Sequence, residues 1–563
     1  MENVQNGIVY VEGNEGLSPA HFRFLVDRHG TANLQPLPDP TLADPLNWPQ
    51  RKAIIFHACI CTFTASSVIP AFKDISERLD VSIQAASYMT SLQIAILGGA
   101  PLFWHPLAKR YGHFSIYFLA LLGSIAANVG SACSTNYGQL AACRALGALF
   151  ISPAAALGAG TIGEMFFAGE RAQYIGAWTL MITVGVPFAP FLFSFAVERV
   201  GYQWIFWTLA IANIVQFLLY LIFGSETRYI RGLPGAASAR IPHRLALRRI
   251  DPTPFTIVEL LHPFVYTLRW RVAIPAAAHA MTFLFCNVMM TVEIPQLFAE
   301  KFSFGAEALG LQFLGLIIGS LLGEALAMTA SNYWMTRGAD DAMGGGDDTT
   351  PRLAPERRLW LSYIGYALAI CGIVVFLVMS QTLRVYNVSP VVGAGIASTG
   401  NQIVTTVLVN YAVDCYPEDA ASVGVFISFA RGIWGFIGPF WFPQFFKATG
   451  KGSAGGVIAM LVVVSVLPTI VLQVQGGKEK ATDRQGRCFI ELWGLYAMLT
   501  PPSIQLSNYT AASSLTASHI GPLTLTRKSS QPHSHNKTVT RDDRIRLPEN
   551  DLGIYIRLPR MLG

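Results

Sequence analysis

Charge is scarce in this sequence. Asp, Glu, Lys and Arg make up 13% of its 563 residues, while 52% are hydrophobic; soluble domains carry about 25% charged residues. So little charge cannot clothe a water-facing surface of this size, which excludes an ordinary soluble fold. Cysteine is sparse too, and its spacing is uninformative: Cys59, Cys61, Cys133, Cys143, Cys286, Cys371, Cys415 and Cys488 include no Cys-x-x-Cys pair. That excludes a zinc ribbon and a secreted disulfide framework. The sequence also lacks a Gly-x-x-x-x-Gly-Lys-Ser/Thr loop, a His-Glu-x-x-His pair and a Gly-x-Ser-x-Gly elbow. Nucleotide hydrolysis, metalloprotease and serine-hydrolase chemistry are therefore not encoded, and no catalytic residue, metal or cofactor is expected. A net charge of +6 does not point to nucleic acid, because the basic residues gather in loops between apolar runs and in the tail.

What the chain has instead is apolar runs of membrane length, near 53–72, 84–104, 114–133, 139–163, 174–197, 204–224, 272–294, 307–330, 359–379, 389–413, 421–446 and 454–474. A bilayer core needs about 20 apolar residues per helix. Backbone at that depth is satisfied inside helices, so β structure is not expected there. The expected fold is an all-α membrane protein of twelve transmembrane helices in two six-helix lobes. Its divisions are an N-terminal segment 1–52, a lobe 53–224, a basic central loop 225–271, a second lobe 272–474 and a tail 475–563. Gly, Ala and Ser recur in the runs and let helices approach closely in lipid.

With the N-terminus inside, the inner loops hold 15 Lys and Arg and the outer loops 7, so both termini are expected in the cytoplasm. The first 48 residues show no signal-peptide pattern, leaving the first run to direct insertion. The tail is rich in Ser, Thr, His, Pro and Arg. It reads either as a disordered regulatory extension or as translated noncoding sequence.

Several stretches carry a family resemblance. Asp44-Pro-Leu-Asn-Trp-Pro-Gln-Arg-Lys52, Tyr88-Met-Thr-Ser-Leu-Gln93, Ile151-Ser-Pro153, Glu164-Met-Phe-Phe167, Glu226-Thr-Arg-Tyr229, Val292-Glu-Ile-Pro-Gln-Leu-Phe298 and Asp414-Cys-Tyr-Pro-Glu418 resemble the fungal branch of the major facilitator superfamily. The closest likeness is to its twelve-span drug:H⁺ antiporters and their polyamine and organic-cation transporter group. The resemblance implies a proton-coupled secondary transporter that moves a small organic solute by alternating access between two lobes. Its partners would be the solute, protons and membrane lipid. The chain would be monomeric and lie in the plasma membrane, with the vacuolar membrane as the alternative. Efflux of a drug, toxin or metabolite is the leading expectation, uptake of a polyamine-like cation the second, and a non-transporting solute sensor the third.

The same resemblance marks three sets of residues. Arg144 resembles the arginine of a proton-coupling motif, against a purely structural role bonding helix carbonyls. The gating loop, usually Gly-x-Leu-Ala-Asp-Arg-x-Gly-Arg-Arg, reads His105-Pro-Leu-Ala-Lys109-Arg110-Tyr-Gly112-His113-Phe114. Lys109 replaces the acidic member, so a latch built on Arg110 must find other partners. The antiporter helix, with Gly185, Ala189 and Pro190, has Phe193 where a glycine is usual. Pro190-Phe-Leu-Phe193 is echoed by Pro439-Phe-Trp-Phe442, a trace of an internal repeat or a chance match.

An ionisable group in mid-membrane costs about 2.5–3.5 kcal/mol on insertion scales, so each one asks for a reason. Proton coupling needs a group that is charged in one step and neutral in another, which a buried carboxylate supplies. Glu324 fits best. Glu293 is the next carboxylate for proton coupling after Glu324, beside Arg144, and it either attracts a cationic solute or bonds backbone at the interface. Arg431 either organises an anionic group or pairs with a neighbouring helix. Glu164 and Asp414 are expected as solvated or capping groups, and His57 and His279 as satisfied polar contacts. Gln93, Asn287, Asn401 and Gln402 are candidate solute contacts that need no titration. Tyr88, Trp178, Phe283, Phe285 and Trp434 offer π-faces or ordinary packing.

Overall fold

The computed structural model describes residues 3–5, 8–11, 14–17, 19–29, 34, 37–41, 44–47, 62–224, 226–229, 249–251, 255–343, 355–416 and 419–476. All of them fall in one compact unit, Met1–Ala481. His57, Cys59, Cys61, the glycine run 344–346 and the tail with Cys488 lie outside the described residues.

The chain opens with a short antiparallel meander, β1 (Asn3–Gln5), β2 (Ile8–Val11) and β3 (Asn14–Leu17), followed by α1 (Pro19–His29). The regular elements described after it are all helical. Residues 62–66 form helix, a 3-10 turn spans Ile69–Ala71, and α2 (Phe72–Leu79), α3 (Ile83–Tyr111), α4 (His113–Ala132) and α5 (Tyr137–Ile151) follow. Next come α6 (Pro153–Ala156), α7 (Gly158–Met165), α8 (Ala168–Val200) and α9 (Gln203–Phe223), which complete the N-terminal half. A short α10 (Ile257–Leu261) lies in the central loop. The C-terminal half holds α11 (Trp270–Phe283), α12 (Met289–Phe302), α13 (Ala306–Leu311), α14 (Leu314–Met343), α15 (Leu359–Thr382), α16 (Ser389–Cys415), α17 (Ala420–Thr449) and α18 (Lys451–Gly476).

Ten helical stretches among the described residues are long and apolar enough to cross a bilayer. The 29-residue α3 is not one of them. Its interior face carries Ser87, Thr90, Ser91 and Gln93, all buried, and these lower its mean hydropathy. The run expected from residue 53 begins outside the described residues. Depth in the bundle varies: the stretch Trp270–Ala299 is 78% buried and Ser389–Cys415 is 72% buried, whereas Gln203–Ile222 is 28% and Lys451–Val474 is 22% buried. The last two expose Ile211, Val215, Leu218, Met460, Val464 and Leu467. An apolar skin of this kind suits lipid and would be a liability in water.

Local chemistry sets the helix ends. Ser82 accepts from Ala85 N at 3.0 Å and Asn136 from Gln139 N at 2.9 Å, each capping a helix N-terminus. Gly201 ends α8 at φ +85° and Gly450 ends α17 at φ +76°, a left-handed turn that glycine adopts without strain. Pro190 and Pro439 stand at the same spacing before these two glycines. The four-residue match is thus accompanied by a shared helix end.

Helix contact in lipid relies on small residues rather than on burial from water, and α16 shows how. It lies against α14 at Gly315, Gly319 and Gly323, and against α15 at Gly365 and Gly372. A Cβ on Gly315 would come 2.5 Å from Val391 O, one on Gly323 2.5 Å from Thr399 O, and one on Gly319 would strike Gly395 O. Ser320 and Ser398 share a hydrogen bond of 2.7 Å across the same seam. Gly319→Ala should therefore lower the unfolding temperature of the detergent-purified protein, at the typical overpacking cost of about 1–3 kcal/mol. Gly456→Ala, whose methyl would meet nothing within 4 Å, should leave it unchanged or raise it.

Candidate functional site

The N- and C-terminal halves meet where backbone approaches backbone. α3 crosses α17 at Gly98 and Gly432, where a Cβ on Gly98 would lie 2.7 Å from Gly432 Cα. This crossing brings the neighbouring Arg431 and Ser428 to the wall of a cavity that they share with Ser66, Thr90 and Val186 of the N-terminal half and with Phe283 and Thr291. A π-helical turn at Leu284–Val288 interrupts the helix there, a feature frequent at functional sites. The cavity offers about 40 Å³ to the centres of water-sized molecules, enough for a few waters and far below the ~300 Å³ of a small-molecule site. A smaller cavity, lined by Trp178, Thr179, His279 and Thr405, shares Ser428 and Arg431 with the first. The Arg431 guanidinium carbon sits 5.0 Å from the Phe283 ring centroid.

The second constellation lies between α8, α14 and α16. Glu324 is 2% exposed. Its Oε2 accepts from Thr406 Oγ1 at 2.6 Å and from Gln402 Nε2 at 2.8 Å. Its Oε1 abuts Gly176 of α8 and has no hydrogen-bond partner among the described residues. Thr179 Oγ1 lies 3.4 Å from Thr406 Oγ1. A carboxylate of one half is therefore pressed onto the backbone of the other, and Gly176 is the residue that lets it in.

The remaining candidates are dispersed. Arg144 is 1% exposed and lines neither cavity. Its guanidinium donates to Thr64 O at 3.0 Å, Ala65 O at 3.1 Å and Ser67 Oγ at 3.3 Å, and lies over Phe206. Gln93 donates to Arg144 O at 3.0 Å. Arg144 thus serves the place where the 62–66 helix ends, and Gln93 bonds the backbone of Arg144. Glu293 and Asn287 are 2% exposed and Asn401 is fully buried; all three lie outside both cavity walls. Glu293 Oε1, Asn287 Oδ1 and both Asn401 amide atoms lack hydrogen-bond partners among the described residues. On α8, Ala189 is fully buried, as is Phe193 in the main core; Gly185 and Pro190 lie within the same continuous helix. Of the aromatics, Phe283 and Trp178 line cavities, Phe285 sits in the core, Tyr88 stacks on Phe440 and Trp434 is exposed.

At the gating loop, Lys109 is exposed while Arg110 is buried and holds Glu259 of α10 through both nitrogens, at 2.6 and 2.7 Å. Gly112 turns at φ +81° against Glu226, whose carboxylate accepts from His113 N and Phe114 N at 2.9 and 3.0 Å. An acidic group at a helix N-terminus is favourable. Burial pushes the Glu226 carboxyl above the usual carboxylate range, opposed by His113 and three backbone donors. Glu164 pairs with Arg228 at 2.7 Å and Asp414 with Arg358 at 3.3 Å. Around position 109, carboxylates thus come from Glu259 and Glu226, both distant in sequence.

Sequence reading missed Gly176, Thr179 and Thr406 around Glu324, Thr90 and Ser428 in the cavity wall, and the partners Glu226 and Glu259. The four-residue step from Gln402 to Thr406 was the one available signal, since it places both on one helix face.

Two helical halves with an apolar skin, closed around a cavity with polar groups, define a multi-pass membrane protein of the solute-transporter class. Residues 54–439 match the profile of the Major Facilitator Superfamily, and the chain belongs to that family, one of transporters rather than enzymes. It is 23% identical over 456 residues to "Uncharacterized transporter mfc1" of Schizosaccharomyces pombe, covering 75% of this chain and 89% of that one. It is 26% identical over 448 residues to "Efflux pump radE" of Floropilus chiversii, covering 75% and 80%. In fold it is similar to a crystal structure of a peptide transporter, POT, in complex with alafosfalin, with TM-score 0.54, 15% identity, and 78% and 98% of the two chains covered.

The geometry of Arg144 gives a test. Arg144→Lys retains charge but cannot span the Thr64 and Ala65 carbonyls, and each buried acceptor stranded costs about 1–3 kcal/mol. We expect a fall of several degrees in the unfolding temperature of the solute-free protein. An unchanged unfolding temperature with lost proton-driven flux would assign Arg144 to coupling instead.

Proposed function

We propose that this chain is a twelve-span, proton-coupled exporter of a small organic solute in the plasma membrane, with its first span starting before residue 62 and α3 as its second. Both termini face the cytoplasm in this reading, which follows the distribution of Lys and Arg. The observation that carries it is Glu324. One of its oxygens is satisfied twice within the C-terminal half, and the other meets the Gly176 backbone of the N-terminal half. A proton on Glu324 removes charge from the seam and allows the halves to stay closed. Its loss leaves a buried anion with an oxygen lacking a donor, a costly state that favours an arrangement in which that oxygen reaches water. Alternation between the two would expose the cavity to either side in turn.

Export is supported by likeness to a protein called an efflux pump and by the resemblance to drug:H⁺ antiporters. The cavity is too small for a solute in this closed arrangement, which suits a transporter that opens to load. The test is flux in proteoliposomes holding the full chain under an imposed pH gradient, with a panel of hydrophobic drugs and spermidine. Gradient-driven flux is expected in the wild type. Glu324→Gln should abolish the dependence on the gradient while solute exchange at equal pH persists. Coupled flux unchanged by Glu324→Gln would move the proton site elsewhere, with Glu293 the next carboxylate to test.

A further inference from the structure

We infer that the solute is a lipophilic organic anion whose charged group is held by Arg431 and whose apolar body fills the cavity wall. This rests on the transport reading above and names its substrate class. Among the residues lining the two cavities, Arg431 is the only side chain with a permanent charge, and it lines both. No Asp or Glu lines either one, and neither Glu324 nor Glu293 is among their lining residues. A cationic solute would enter facing a like charge in walls that carry no carboxylate, an arrangement that interfaces avoid. Arg suits carboxylate and sulfonate groups, which its planar fork of donors matches in pairs.

The rest of the wall fits the same ligand. Ile69, Ile94, Leu97, Val186, Val288 and Val292 give the larger cavity its apolar lining, which favours an aromatic or aliphatic body. Thr90, 2% exposed, lines that cavity, and its hydroxyl has no hydrogen-bond partner among the described residues. A buried hydroxyl in this position calls for a polar group from an occupant. Ser428, shared like Arg431 by both cavities, offers a second hydroxyl on the preceding turn of α17.

The experiment uses the purified full chain in lipid nanodiscs and two probes with one aromatic body and opposite fixed charges, naphthalene-2-sulfonate and (2-naphthylmethyl)trimethylammonium. Dissociation constants are read by calorimetry. The wild type should bind the sulfonate about tenfold more tightly than the ammonium, and Arg431→Gln should weaken sulfonate binding about tenfold or more, the worth of one charge-assisted hydrogen bond. Arg431→Lys should fall between the two. Thr90→Val, which keeps the charge, should weaken the sulfonate by a smaller factor, and it decides the matter together with the wild-type preference if Arg431→Gln does not fold. Equal or tighter ammonium binding, absence of sulfonate binding to the wild type, or sulfonate affinity unchanged by Arg431→Gln would each overturn the proposal. Flux separates it from the reading beneath it. Sulfonate binding without gradient-driven flux keeps the anion site and overturns transport. Gradient-driven flux of the ammonium but not the sulfonate keeps transport and overturns the anion.

Discussion

Backbone-to-backbone approach of helices at glycine is the constraint on which the rest of this structure depends. Lipid removes the hydrophobic drive that would gather helices in water, so position must come from shape. Gly315, Gly319 and Gly323 let α14 sink onto α16, and only at that depth do Gln402 and Thr406 reach Glu324. Gly98 and Gly432 do the same between halves, and Arg431 reaches the cavity because its neighbour in sequence forms the crossing point. Gly176 completes the set by leaving room for a carboxylate oxygen against α8. Each polar site thus stands next to a position where a side chain would not fit.

The end of the bundle that carries Arg110 follows a different rule, that of paired charge. An exposed Lys109 replaces the acidic residue usual in this family, and Glu259 and Glu226 supply carboxylates from the central loop and the end of α9. The loop is thereby tied to α3 and α4. Tyr266 in turn donates to Asp419 at the start of α17 at 3.0 Å, so the connection between halves is anchored on both. Fork-to-carboxylate pairing at Arg110 is geometrically demanding and holds the loop more closely than the dispersed charge of a flexible linker could.

Much of this architecture was legible from residues alone, because membrane length and loop charge are one-dimensional signals. The apolar runs mark the helices, 84–104 for α3 among them, although the polar interior face of α3 lowers its hydropathy. Glu324 stood out because a carboxylate in an apolar run is costly wherever it points. Its setting did not: nothing at Gly176 announces that it faces position 324, nor does Glu259 declare a bond to Arg110. Arg144 shows the converse limit. Its residue type drew attention, yet its hydrogen bonds to Thr64 and Ala65 are visible only in three dimensions. Long-range partners are invisible without an account of which helix lies beside which.

The placement of charge also constrains how solute and proton would be linked. Arg431 lines both cavities and Glu324 lines neither, so the two ligands would not compete for a shared group. Coupling would then have to act through the equilibrium between closed and open seams. A ligand shifts such an equilibrium only by its difference in affinity for the two states, and the linkage is reciprocal. In the proposed reading Glu324 would meet that requirement, since its second oxygen is held buried against Gly176. The cavity would meet it too, since at about 40 Å³ it is far below the ~300 Å³ of a small-molecule site, so a solute would favour a more open form. Proton and solute would therefore pull the same seam in opposite directions, the proton toward closure and the solute toward opening. That opposition is what exchange of one for the other would require, and in the proposed reading it would arise from where glycine permits contact.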